Sequence, residues 1–282
     1  MTLDRTVVGA SVRGTVHRRD GVPNQDAVAW AGPSGHEGRV VAAVSDGHGS
    51  PKAFRSRRGA QLAVKVGVEA GAAFLERLGR AGLGALDHHA WAPLTREIVD
   101  RWAADVRADL AAGPLREHEL ATVAEIDGPS ARRAVESDPT LAYGATLLLV
   151  AVMGSFALFL QLGDGDILVV PAAGRVARPL RDDPRLFANE TTSLCMPDAA
   201  REFRVACQPL TGPGPQVLLL ATDGLANAYQ DDTSFLQIGT DLLARIGAVG
   251  MDAVAAELEA FLQEAAEHSG DDVTVAVVWL GR

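Results

Sequence analysis

The chain has 282 residues, 48% hydrophobic and 22% charged, an ordinary globular composition with enough apolar side chains for a sizeable core. A formal net charge of −10 argues against a nucleic-acid backbone or an anionic membrane as the main partner. Two cysteines, Cys195 and Cys207, make neither a disulfide framework nor a CxxC motif, and MTLDRTVVGASVRG shows no secretion signal, so the chain is expected in the cytoplasm.

In chain order, a first strand is predicted near Val7–Val12. A hairpin follows, with strands at Ala27–Ala31 and Arg39–Ser45 around the turn-rich AGPSGHEG. The alanine-rich stretch Lys52–Leu78 suits a long helix despite Gly59, Gly67 and Gly71, and Leu94–Ala111 suits a second. Residues 112–140 are polar, carry Pro114, Gly128-Pro129 and Pro139, and show no sustained periodicity; they read as a surface insertion with one short helix. His88-His89 beside Asp87 lacks the spacing of helical metal ligands and reads as a solvated loop.

Residues 144–163, GATLLLVAVMGSFALFLQLG, hold no charge over a length that could cross a bilayer. Gly154-Ser155 in the middle, between β-branched and aliphatic runs, instead predicts two buried strands, Ala145–Met153 and Phe156–Gln161, joined by a tight turn. Further strands are predicted at Ile167–Pro171, Glu202–Ala206, Gln216–Ala221 and Val273–Leu280, with helices at Phe235–Ile246 and Asp252–Glu267 before the last strand. This order predicts an α+β fold over a single domain, 1–282: an antiparallel β-sandwich with helices on its outer faces.

The acidic residues cluster on this plan. Asp26 precedes the first strand of the hairpin and Asp46 follows the second, so antiparallel pairing sets them side by side at the open end. Asp223 follows the apolar QVLLLAT, while Asp271 and Asp272 introduce VTVAVVWL. Antiparallel pairing of those two strands would bring Asp223 to Asp271; that pairing, and a shared end for both carboxylate pairs, are left open by the sequence. If all converge, like charges raise one another's pKa, and hard divalent cations with oxygen ligands are the natural neutralisers. Two ions sharing one carboxylate could activate a water for phosphoryl transfer. Asp46 on its rigid strand is the best bridging ligand, Gly47 lets a backbone carbonyl approach a cation, and His48 is placed to act as general acid. An isolated Asp-Gly-x-Gly, taken alone, would be a strand-end turn.

The motif is one of an ordered set. Asn24-Gln25-Asp26, Asp46-Gly47-His48-Gly49, Gly144-Ala145-Thr146, Leu162-Gly163-Asp164-Gly165, Ala221-Thr222-Asp223-Gly224 and Asp271-Asp272-Val273-Thr274 occur in that sequence. The series resembles the type 2C, metal-dependent serine/threonine protein phosphatases, in a bacterial-looking version, over roughly residues 8–280. The resemblance implies a four-layer α-β-β-α sandwich with two divalent ions, Mn2+ or Mg2+, at one end between the sheets. Asp46 would bridge both ions, the Gly47 carbonyl would bind one, and Asp223 and Asp271 would complete the other's shell. Asp26 would hold water or touch an ion, and His48 would protonate the leaving alcohol. The implied reaction is hydrolysis of phosphoserine and phosphothreonine in proteins by in-line attack of a hydroxide bridging the ions, with a serine/threonine kinase opposing it.

Some positions depart from the family. Gly21 stands where an arginine commonly grips the phosphate, with Arg13, His17, Arg18 and Arg19 as nearby substitutes. Gln25 replaces a frequent glutamate, Leu141 falls where some members have a third-metal aspartate, Gly165 replaces a serine, and Asp272 stands where asparagine is commoner. Arg181–Ala200 corresponds to a flap beside the active site, in which Asn189, Glu190 and the Thr-Thr-Ser run are either substrate contacts or a capped turn. Gly21 and Gln25 also support a rival reading, a catalytically impaired phosphatase-like binding module. Retention of the costly carboxylate cluster argues against it.

Overall fold

The computed structural model describes residues 5–34, 38–82, 91–173, 175–181, 183, 191–210, 214 and 216–281. Its elements are β1 (Arg5–Val12), α1 (Thr15–Asp20), β2 (Ala27–Ser34), β3 (Arg39–Ser45), α2 (Ser56–Ala81), α3 (Ala92–Ala112), α4 (Glu117–Ile126), α5 (Pro129–Ser137), β4 (Leu147–Met153), β5 (Phe156–Leu162) and β6 (Asp166–Pro171). There follow α6 (Ala199–Glu202), β7 (Arg204–Pro209), β8 (Gln216–Ala221), α7 (Asp223–Ala226), α8 (Asp232–Val249), α9 (Met251–Ser269) and β9 (Val273–Leu280).

The strands form two antiparallel sheets, ordered β1-β9-β8-β6 and β2-β3-β4-β5-β7. Side-chain alternation sorts each strand between two cores. From β4, Leu148, Val150 and Val152 meet Leu218, Leu220 and Val278 between the sheets. Leu147, Leu149 and Ala151 face outward onto α2 and α3. On the other outer face, Val217 and Leu219 of β8 and Val275 and Val277 of β9 pack under α8 and α9. The result is the predicted four-layer sandwich. Because β4 and β5 are buried on both faces, neither needs a polar side, and that is the origin of the charge-free run at 144–163. No helix among the described residues is long and apolar enough to cross a membrane.

The insertion differs from expectation, since residues 112–140 hold two helices, α4 and α5. Each buries a single side chain, Val123 and Val135, so neither carries an apolar stripe that periodicity could reveal. Their signals are at the ends: Glu119 Oε2 accepts the Arg116 N–H at 2.6 Å, and Gly128-Pro129 starts α5. Arg55 fastens the segment to α2, donating to Glu119, to the Gly113 and Pro114 carbonyls and to the Tyr143 hydroxyl at 2.6–3.0 Å. Three short helices, α1, α6 and α7, are too brief to leave a period in the sequence. His88-His89 and Asp87 lie outside the described residues.

Candidate metal centre

One end of the sandwich gathers the carboxylates because several strands begin or end there. In the β2–β3 register Ala27 faces Ser45, which sets Asp26 beside Asp46. In the β8–β9 register Ala221 faces Val275, which brings the residues beyond β8, from Thr222, to those entering β9. Asp166 of β6 also pairs with Ala221, so the β5–β6 turn carrying Asp164 arrives at the same end.

Asp46 is clamped through its backbone: its N–H donates to Thr146 Oγ1 at 2.9 Å and its carbonyl accepts from Thr146 N at 2.8 Å. Gly47 pairs with Ala145, and a Cβ there would meet the Gln25 carbonyl oxygen at 2.6 Å, so only glycine fits. Asp26 is buried; its Oδ2 accepts from Thr222 Oγ1 at 2.8 Å and its N–H donates to Asn24 Oδ1 at 2.9 Å. Behind them, Asn24 Nδ2 donates to Ser11 Oγ at 2.8 Å, and Thr274 Oγ1 donates to the same oxygen at 2.6 Å. Asp223 opens α7 and receives Asn227 Nδ2 at 3.2 Å.

Burial and mutual repulsion perturb the group as a whole. Burial pushes Asp26 up to about 8, with Asp272 and Asp223 adding repulsion against the hydrogen bonds from Thr222 and Thr274. Asp46 rises well above the usual carboxylate range, first through lost hydration, then through Asp26, Asp223, Asp271 and Asp164. Asp223 is raised to about 6 by burial, Asp164 and Asp271. Asp271, whose side chain is 45% exposed, is raised chiefly by partial burial. Among the described residues no three His, Cys, Asp or Glu side chains close into a metal-ligand set as they stand. The convergence is one of mutual repulsion at a shared end of the sandwich.

The donor chemistry nonetheless fits hard divalent cations. The donors are carboxylate and carbonyl oxygens, and Asp26, Asp223, Asp271 and Asp164 are the charges that raise Asp46. Asp164, part of the Leu162–Gly165 motif, received no site role from the sequence, although its charge acts on Asp46, His48, Asp223 and Asp271. The signal was present: like Asp26 and Asp46, it sits in a strand connection at this end. A polar cavity of about 390 Å³, lined among others by Asp164, Asp166, Arg178 and Arg204, adjoins it. Gly165, the departure from serine, sits where a Cβ would lie 2.5 Å from the Ala221 carbonyl oxygen.

Asp272 has a different task. Its oxygens accept the backbone N–H groups of Gly14 at 2.7 Å and Gln25 at 2.6 Å, stapling the segment that carries Asp26. His17 Nδ1 lies 2.9 Å from Asp272 Oδ2, out of hydrogen-bond alignment, and its Nε2 lies 3.9 Å from Asp271 Oδ1. Arg18 is exposed on α1, and Arg19, also exposed, forks onto Asp20 at 2.7 and 3.1 Å. Gly21 ends α1 at φ 74°, with open space where a side chain would stand.

His48 donates its backbone N–H to the Gly144 carbonyl at 3.1 Å, and its Nε2 is buried without a hydrogen-bond partner among the described residues. Burial lowers its pKa, which Asp164 opposes and Lys52 reinforces. In the flap-like stretch, residues 182 and 184–190, including Asn189 and Glu190, lie outside the described residues. Thr192 Oγ1 accepts from Gly163 N at 2.8 Å, and Ser193 Oγ accepts from Ala145 N at 3.1 Å, so these hydroxyls serve the protein's own backbone.

Residues 13–263 match the family described as protein phosphatase 2C. No curated protein matches the chain. Among solved structures the fold is similar to the catalytic domain of the serine/threonine protein phosphatase PstP in complex with two manganese ions, at 18% identity, 100% coverage of both chains and a TM-score of 0.54. It is also similar to PppA, a regulatory component of the T6SS in Pseudomonas aeruginosa, at 21% identity over 97% of this chain and 96% of that one, TM-score 0.58. The S. agalactiae serine/threonine phosphatase shares 16% identity over 98% of this chain and all of that one, TM-score 0.56. At such identities the structural likeness carries the fold.

Proposed function

The chain belongs to the protein phosphatase 2C family, and from that premise we propose that it hydrolyses phosphoserine and phosphothreonine in proteins with the help of two divalent cations, Mn2+ or Mg2+. The observation that carries the reading is the gathering of Asp26, Asp46, Asp223 and Asp271 at one end of the sandwich, where burial and repulsion raise every one of them. Asp46, the Gly47 carbonyl, Asp223 and Asp271 would hold the ions, with Asp26 as a further ligand or water anchor. Bound there, the ions supply charge neutralisation and Lewis-acid activation of water and phosphate.

The chain's own residues do the rest. The Thr146 clamp keeps Asp46 rigid, and the Thr222 hydroxyl fixes the orientation of the Asp26 carboxylate. Asp272 holds the Gly14 and Gln25 backbone, and with it the approach of Asp26. His48 is assigned the proton given to the leaving alcohol, from a ring nitrogen that no protein group occupies among the described residues. No cysteine takes part: burial raises the Cys195 and Cys207 thiols, which suits neither for nucleophilic attack. A cytoplasmic setting and an opposing serine/threonine kinase complete the proposal.

The test is turnover of p-nitrophenyl phosphate and of a phosphothreonine peptide by purified protein. Hydrolysis that appears with Mn2+ or Mg2+ and vanishes in EDTA is the expected result. Absence of turnover with any divalent ion, together with retained binding of the peptide, would favour the binding-module reading instead.

A further inference from the structure

We propose that Lys52 is the side chain that grips the substrate phosphate, an assignment that rests on the phosphatase reading and adds to it. A phosphate monoester carries up to two negative charges, and the end of the sandwich it must approach already gathers carboxylates. A protein cation at that end therefore matters for binding. Several arginines around the site are committed, although Arg18 is exposed without a side-chain partner among the described residues and Arg13 Nε is buried without one. Arg13 Nη2 donates to the His17 carbonyl at 2.8 Å, and Arg19 is held by Asp20. Arg178 is held by Asp166 at 2.5 Å and Asp232 at 2.6 Å, and Arg204 Nη2 donates to the Gly163 carbonyl at 2.8 Å. At Gly21 there is no side chain at all.

Lys52 is placed otherwise. It lies in the short 3-10 turn Pro51–Ala53, which leaves the Asp46–Gly49 loop directly and is closed by Ala53 N donating to the Ser50 carbonyl at 2.8 Å. It is exposed, and among the described residues it has no ion pair or hydrogen bond; the other lysine, Lys65, is paired with Asp105 at 3.0 Å. Gly144 locates the place its charge reaches. A Cβ built at Gly144 would stand 2.9 Å from His48 Cδ2 and 3.3 Å from Cys195 Sγ, so imidazole and thiol flank one glycine. The Lys52 charge acts on both groups. An unpaired, exposed ammonium in the turn that leaves the His48 loop suits a phosphate oxygen on the leaving-group side of the site. As a compact point charge it can bind phosphate without the fixed fork that an arginine would need.

The experiment uses the Mn2+-loaded protein. Lys52→Ala, Lys52→Arg and Lys52→Glu are compared with Lys65→Ala as a surface control and Arg13→Ala as the competing assignment. KM for p-nitrophenyl phosphate, the inhibition constant for inorganic phosphate, and phosphate and Mn2+ affinities by calorimetry are read together. Lys52→Ala should raise KM and weaken phosphate binding about tenfold, with Mn2+ affinity and melting temperature unchanged. Lys52→Arg should recover most of the loss, Lys52→Glu should deepen it, and Lys65→Ala should change neither. Phosphate affinity within twofold of wild type in Lys52→Ala overturns the assignment, and a matching loss in Arg13→Ala moves the role there. If wild type shows no metal-dependent turnover, the phosphatase reading fails, and phosphate calorimetry still decides for or against Lys52.

Discussion

Stripped of divalent metal, the protein should lose stability as pH rises from 6.5 to 8. Asp26 titrates near 3.8 when unfolded but is pushed up to about 8 in the fold. The native state therefore holds a proton that the unfolded chain has released, and stability falls with pH through that window. Integrating this one group from pH 6.5 to 8 gives a loss of roughly 1.5 kcal/mol. Asp46, raised by the same burial and by its neighbours, adds in the same direction. His48 works oppositely, because its depressed pKa makes protonation favour the unfolded chain; that effect is spent below about pH 6.5, which sets the lower edge of the comparison. At about 2–4 °C per kcal/mol for a domain of this size, the melting temperature in EDTA should drop by roughly 3–6 °C. Differential scanning calorimetry in EDTA at the two pH values reads this directly. Asp26→Asn should flatten the slope, and Mn2+ should stabilise more at pH 8 than at pH 6.5. A melting temperature in EDTA that is level or rises between these pH values would refute the reasoning.

Removing the Asp272 carboxylate as Asp272→Ala leaves two buried backbone N–H groups unsatisfied and should cost about 2–5 kcal/mol, measurable by urea denaturation of the metal-free protein. Thr222→Val takes away the hydroxyl on Asp26 and should weaken Mn2+ binding several-fold while Thr222→Ser keeps it, as calorimetric titration would show. Asp164→Asn lifts one source of repulsion and should stabilise the metal-free protein at pH 8, seen as a higher melting temperature in EDTA. His48→Ala should slow a phosphothreonine peptide about tenfold or more, and p-nitrophenyl phosphate less, because an aryl leaving group needs little protonation. Equal losses on the two substrates would remove its assignment as the acid.

Much of the architecture was legible because strand and helix periods are written into core residues. At β4 and β5 the Gly154-Ser155 interruption separates two sheet strands from a bilayer span, and neighbours such as Leu148 and Leu149 go to different cores, which makes both faces apolar. The pairing of Asp26 with Asp46 followed from hairpin geometry alone, whereas that of Asp223 with Asp271 needed the β8–β9 register, a contact between segments far apart in sequence. Asp164 stood in the Leu162–Gly165 motif but gained no role, because a carboxylate in a short turn looks like any turn residue until the turn is placed against the other strand ends. The nearby cations were legible as charges but not as partners: Arg19 faces Asp20, and His17 faces Asp271 and Asp272. The helices of the insertion were hidden for want of a buried stripe, since α4 and α5 are set by caps and by Arg55.

The most direct measurement is a calorimetric titration of the metal-free protein with Mn2+, run in parallel on Asp46→Asn. If the strand-end carboxylates form one shared centre, the wild type binds two ions per chain and Asp46→Asn loses affinity for both. Wild-type stoichiometry and affinity in Asp46→Asn would contradict the account.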